Sequence, residues 1–363
     1  MRSLRILIAL LVVVALSSGA SAAPGDGIWA DVTLSGSTGS YSGTVDFPGV
    51  LMPGATVASD ARATSSATSG SSAWIGPNTP PGVVFGTSQG NGYLNFRPAS
   101  GSAPSTTTYT FADVTPASGW GFVFGDIDAD TVTVSALDAN GDPVSGADLG
   151  FRGVFNYCDT SPRPSTCSGA SAPYDLPTWS PTATGGSLVG SGTNQQGPAG
   201  WFMPTVPLSS LTVVMSVQLG SPTYQTWFAS TDLALAGTVS TDGTIPAGGI
   251  EISLGHPAGG VLATTTTDTD GTYSFSGLLD GVEYVVMPAP PPGYVVGPTQ
   301  TSVTPVNADL SGIDFTLLDE PPAPTSTSVP PTSVPPPPSP SQPPSPSAGA
   351  ANGAPGAPLA IAG

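Results

Sequence analysis

The chain has 363 residues and a formal net charge of −18, yet only 8% of its residues are charged, and its six basic residues are all arginines. An acidic surface of this kind repels phosphate backbones and anionic lipid, which excludes nucleic-acid binding. With no lysine anywhere, Ser–Lys chemistry is excluded as well.

The amino terminus reads Met1-Arg-Ser-Leu-Arg5, then an apolar run from Ile6 to Leu16, then Ala20-Ser-Ala22. A basic start, a short apolar segment and small residues before a cleavage point spell a secretory signal peptide over residues 1–22. The apolar run falls short of the ~20 residues a bilayer-spanning helix needs. No membrane span is expected in the mature chain, which keeps four arginines against 24 acids, about −20.

Residues 23–236 read as one large all-β head. Ile28, Ala30, Val32 and Leu34 alternate with Trp29, Asp31, Thr33 and Ser35. Val132, Val134 and Ala136 alternate with Thr131, Thr133 and Ser135, and Leu211, Val213 and Met215 with Thr212, Val214 and Ser216. This period of two is that of half-buried strands, and no segment shows a helical period. Two packed antiparallel sheets of jelly-roll or Greek-key type are expected. Trp74, Phe85, Phe96, Phe111, Trp120, Phe122, Phe124, Phe155, Trp201 and Trp227 would supply their core.

Within the head, Asp126, Asp128 and Asp130 precede a strand, and Asp138 and Asp142 follow it. In an extended chain the first three carboxylates point one way, about 6.6 Å apart, on the face of Val132 and Val134. Either the strand bends at Asp130 or the acids gather around a hard cation such as Ca²⁺. Asp138-Ala-Asn-Gly141 reads equally well as a hairpin turn. Cys158 and Cys167 are the only cysteines, and in an exported protein they should pair. Trp179 and Trp201, beside Gly- and Pro-rich segments, are candidate stacking platforms for a polysaccharide, with core packing as the competing role. The only histidine, His256, lies in Gly255-His-Pro-Ala-Gly-Gly260 and reads as a turn residue. The head therefore holds no histidine for a catalytic triad, and no enzyme activity is expected.

A second, smaller sandwich is expected over 237–318. Ile250, Ile252 and Leu254 alternate with Glu251 and Ser253; Tyr273 and Phe275 with Thr272, Ser274 and Ser276; Val282, Tyr284 and Val286 surround Glu283. Asp270-Gly271 supplies a tight turn. Gly237-Thr-Val, Gly249-Ile-Glu-Ile-Ser-Leu254, Thr264-Thr-Thr-Thr-Asp-Thr-Asp-Gly-Thr-Tyr-Ser-Phe275 and Pro291-Pro-Gly-Tyr294 together resemble the B-type repeats of serine-aspartate-repeat adhesins and collagen adhesins of Gram-positive bacteria. The resemblance implies a prealbumin-like β-sandwich used as a spacer. It carries over neither the Lys–Asn isopeptide bond of related domains, since lysine is absent, nor their calcium site, since Asp242 is the sole carboxylate in Val239–Pro246. In the head, Gly121-Phe-Val-Phe-Gly-Asp-Ile-Asp128 followed by Val132–Gly141 is similar to jelly-roll modules next to such repeats in exported actinobacterial proteins, which implies a fold and no reaction.

From Asp319 to Gly363 the chain turns rich in Pro, Ser and Ala, a composition for a disordered, extended tail. At ~3.1 Å per residue, 319–347 could reach roughly 90 Å. Leu359-Ala-Ile-Ala-Gly363 is similar to the Leu-Ala-x-Thr-Gly sortase signal, but Ala362 replaces the threonine, so covalent sorting is not expected. The expected function is that of a secreted or cell-surface adhesin-like protein, its head meeting an extracellular protein or polysaccharide. A carbohydrate-binding module is the alternative, and a polysaccharide hydrolase using paired aspartates a more distant one. No cofactor is required, Ca²⁺ being the one candidate.

Overall fold

The computed structural model describes residues 27–321 apart from 63, 68–71, 99–102, 194, 221, 242–244 and 246. The expected signal peptide, Asp242 and the proline-rich tail beyond Pro321 lie outside the described residues. Those described are almost wholly β, as the alternations predict.

The head begins with β1 (Gly27–Trp29), β2 (Asp31–Ser37), β3 (Ser40–Asp46), β4 (Ala55–Ser59) and β5 (Thr64–Ala67). After a short helix, α1 (Pro80–Phe85), come β6 (Tyr93–Phe96), β7 (Ser105–Phe111), β8 (Trp120–Gly125) and β9 (Asp130–Leu137). Next are β10 (Phe151–Asn156), β11 (Thr178–Thr182), β12 (Gly185–Val189) and β13 (Pro198–Phe202). The last two are β14 (Ser210–Val217) and β15 (Tyr224–Thr231). One sheet runs β10-β13-β8-β15-β6-β5, with β1 also paired to β15; the facing sheet runs β11-β12-β9-β14-β7-β4-β3-β2. All these pairings are antiparallel.

β8 and β15 are buried on both faces; β8 accordingly runs apolar without alternating, while β15 also buries Gln225, Thr226 and Ser230 among its aromatics. Their inner side chains, such as Trp120, Phe122, Phe124 and Phe228, pack between the sheets, and Phe122 stacks on Phe202 at 4.9 Å. Their outer side chains, Val123 and Trp227, join Trp29, Phe85, Tyr157 and Trp201 in a second apolar layer. The head is thus a sandwich with one sheet covered twice. All the aromatic residues named above as core are buried.

Two local expectations fail. The run Ile28–Leu34 is not one strand: β1 pairs β15 in one sheet and β2 pairs β3 in the other. The chain switches sheets at Ala30, and Trp29 turns inward because the outer layer receives it. Helical turns also occur, in α1 and in a 3₁₀ turn at Ser165–Gly169. α1 arises from end signals rather than period: the Thr79 hydroxyl accepts the Gly82 amide at 3.2 Å and proline occupies the first turn.

The second sandwich contains β16 (Leu233–Ser240), β17 (Glu251–Gly255), β18 (Val261–Thr266), β19 (Thr272–Leu278), β20 (Tyr284–Ala289), β21 (Tyr294–Gly297), β22 (Thr301–Val303) and β23 (Phe315–Asp319). Its sheets are β19-β16-β23-β21 and β18-β17-β20-β22. Ile252, Leu254, Tyr273, Phe275, Tyr284 and Val286 form the core between them. At the turn before β19, Gly271 takes φ +85° and donates its amide to Asp268 at 2.8 Å. β16 belongs to this sandwich from Leu233, so its first strand starts four residues before Gly237.

Candidate functional site

Three places in the described residues gather chemistry: an acidic corner of the head, the layer around its disulfide, and the junction between the sandwiches.

The corner is set by β8 ending at Gly125. Asp126 takes φ +65°, a left-handed conformation rare for a residue with a Cβ. The chain therefore turns here, not at Asp130, and the three acids lose their common face. Asp126 accepts the Gly197 amide at 3.4 Å and the Thr223 hydroxyl at 3.2 Å, and its charge acts on Tyr157 of the outer layer. Asp128 accepts the amide of Ala129. Asp130 opens β9 on the inner face, and its charge acts on Tyr224 of the inter-sheet core. It is fully buried, and neither carboxylate oxygen has a hydrogen-bond partner.

Burial raises all three acids. For Asp126 it outweighs the two hydrogen bonds that stabilise the charged form. Asp128 is pushed up to about 6, by burial first and then by the charge of Asp126. Asp130 lies well above the ordinary carboxylate range, through burial and then through Asp128 and Asp126. Burial and the neighbouring acids thus make Asp130 hold its proton more tightly than an exposed aspartate does.

Asp138 and Asp142 stand at the opposite end of β9. Asp138 accepts the amides of Asn140 and Asp142 at 2.8 and 2.9 Å, closing a turn with Gly141 at φ +83°. These bonds lower its pKa. Asp138 and Asp142 thus lie apart from the corner that Asp126, Asp128 and Asp130 share. Among the described residues, no three His, Cys, Asp or Glu side chains come together closely enough to hold a metal ion.

Cys158 and Cys167 are bonded, with Cα atoms 5.3 Å apart, and both are buried in the outer layer. Trp201 lies in the same layer, in β13 rather than a loop. Trp179, in β11, stacks on Phe151 at 5.5 Å and meets Phe202 edge-on at 4.9 Å. Both rings are thus engaged in packing, Trp201 buried and Trp179 half-buried. His256 is exposed in the β17–β18 turn, where Nδ1 accepts the Ala258 amide at 3.2 Å.

The junction was not anticipated. The β19–β20 loop, Leu279-Asp-Gly-Val282, enters the head. Leu279 is fully buried and belongs to the head's inter-sheet core. Gly277 accepts the Leu51 amide at 2.8 Å and gives its own amide to Asp232 at 3.0 Å. Asp280 donates its amide to Thr231 Oγ1 at 2.8 Å and accepts Ser118 Oγ at 2.9 Å. Gly119 leaves room for the loop: a Cβ there would stand 2.6 Å from Leu279 Cβ. A groove of about 880 Å³ opens beside this contact, walled by Val114 and Pro116 of the head and by Val261, Leu262 and Glu283 of the small sandwich. The sequence did hold a signal. In Gly277-Leu-Leu-Asp-Gly281, two adjacent leucines cannot both face one core from a strand.

Residues 231–317 match the SdrD B-like domain family. No curated protein matches the chain. Among solved structures, it is similar to the minor pilin GBS52 of Streptococcus agalactiae at 13% identity, covering 55% of this chain and 87% of that one, with a TM-score of 0.23. It is similar to BcpA, the major pilin subunit of Bacillus cereus, at 12% identity, 77% and 85% coverage and a TM-score of 0.24. An adhesin from Mobiluncus mulieris containing disulfide, isopeptide and ester cross-links overlaps at 7% identity, 62% and 90% coverage and a TM-score of 0.21. The family match defines a class for the second sandwich, a B-like domain of surface proteins. The low-scoring overlaps with pilins and adhesins add no argument of their own.

Proposed function

We propose that this is a secreted or cell-surface structural protein of adhesin type, in which the B-like sandwich is a spacer and the head meets an extracellular protein or polysaccharide. The observation that carries this reading is the SdrD B-like match at 231–317 on a domain docked into the head through Leu279. A spacer fixed to its head transmits position and force without a hinge. The head's buried groups fit a binding module better than a reaction centre. Its fully buried acid, Asp130, faces the inter-sheet core, and neither of its carboxylate oxygens has a hydrogen-bond partner. Among the described residues, no helix is long and apolar enough to cross a membrane.

The test is fractionation of the source cells into cytosol, membrane, wall and medium, with the purified chain applied to immobilised matrix proteins and polysaccharides. Recovery from the wall or medium, with saturable binding to one ligand class, is expected. Retention in the cytosol with Met1 intact would remove the reading.

A further inference from the structure

We propose that the B-like sandwich is a shear clamp, in which β16 and residues 309–316 resist tension between the head and the chain beyond Glu320. The inference deepens the spacer reading and rests on it for its purpose, but its geometry stands alone.

The chain enters this sandwich at Leu233, at the end where Leu279 docks, and leaves at Asp319. β16 and β23 run parallel, with Val239 opposite Phe315 and Ser240 opposite Thr316; the bridge between Leu235 and Leu310 is also parallel. Parallel strands put the first residue of one and the last residue of the other at opposite ends. Tension on Leu233 and Asp319 therefore slides the two segments along each other. The cross-links lie across that direction and must yield together. An antiparallel hairpin pulled at its two open ends would give way one bond at a time.

The cross-links run the length of β16. The Ala234 amide reaches the Asp309 carboxylate at 2.8 Å, and Leu310 donates to the Ala234 carbonyl at 2.9 Å. Ala236 donates to the Leu310 carbonyl at 2.9 Å, and Ile313 to the Ala236 carbonyl at 3.3 Å. Asp314 Oδ1 accepts both the amide and the hydroxyl of Thr238, each at 2.8 Å. Ser240 Oγ donates to the Phe315 carbonyl at 3.3 Å. Gly237 permits this closeness, since a Cβ there would lie 1.9 Å from the Ile313 carbonyl oxygen. Two carboxylates thus fill in where the irregular 309–314 segment offers no carbonyl.

The same molecule contains a matched control. Asp270 Oδ1 accepts the amide and hydroxyl of Thr272 at 3.1 and 2.7 Å, the pattern of Asp314, but in the turn before β19 and outside the clamp. The full chain, tethered by its two ends, would be held at constant force. Unfolding of the small sandwich is recognised by a length gain of roughly 250–300 Å, the contour of residues 233–319. Asp314→Ala removes two bonds to a charged acceptor and is expected to raise the unfolding rate under load about tenfold or more. Asp270→Ala should stay within about twofold of wild type, because its bonds are not loaded. Equal acceleration by the two variants overturns the clamp. If Asp314→Ala does not fold, Thr238→Val deletes only the hydroxyl bond and should still accelerate unfolding under load; a wild-type rate there overturns the proposal. Cytosolic location would remove the spacer reading and leave the clamp intact, so the two can fail separately.

Discussion

Asp130 concentrates the electrostatics of the head in one side chain. Its folded pKa is raised above the ~3.9 of an unfolded aspartate. Between those two values the folded state binds more protons than the unfolded one, so Asp130 lowers stability progressively as pH rises above about 4. Asp128 adds the same trend between about 4 and about 6. Asp130→Asn keeps the shape and removes the titration. Its Tm should match wild type near pH 4 and exceed it at pH 7, with neither protein responding to Ca²⁺ or chelator. A wild-type Tm that rises with Ca²⁺ and loses the response in the variant would make a cation the missing partner. Part of this was legible: parity placed Asp130 on the buried face of Val132. The rest was not, because a single left-handed residue, Asp126, turns the chain and separates acids that an extended strand would align. Aspartate tolerates that conformation better than most residues with a Cβ, but the preference is too weak to single out Asp126 among its neighbours.

At the level of elements, strands that bury one face were the readable part. β9, β14, β17 and β19 all follow their alternation. Strands buried on both faces lose the alternation, and short elements such as β1 and α1 take their place from neighbours and caps. The β19–β20 loop is the element with most at stake. Leu279→Ala should destabilise the chain by about 2–5 kcal/mol, the range for a fully buried leucine. Because the lost contact joins two cores, calorimetry should also show separate transitions for head and spacer, which a cavity inside one domain would not produce. Gly119→Ala, which drives a methyl against Leu279 and Asp280, should do the same by crowding the loop rather than by emptying the socket. Reducing Cys158–Cys167 should lower stability by about 2–3 kcal/mol on the chain-entropy estimate for so short a loop. That effect belongs to the head alone, and its magnitude is read from chemical denaturation with and without reductant.

For the molecule as a whole, the described residues up to Glu320 form one compact unit although they contain two sandwiches. Wild type should therefore melt in a single calorimetric transition, and two resolved transitions would contradict the docking seen at Leu279. Turn residues and alternation made the all-β character legible, because both are local. They could not show that one part closes the other, because Leu51, Ser118, Gly119 and Thr231 meet Gly277–Asp280 only after both have folded. The absence of a side chain at Gly119 has one further consequence. Repeat domains are usually treated as interchangeable beads that recombination can reshuffle or duplicate. Here the socket is cut for one loop, so a foreign bead spliced in after Thr231 would leave an open cavity in the head unless it brought its own leucine to the same spot.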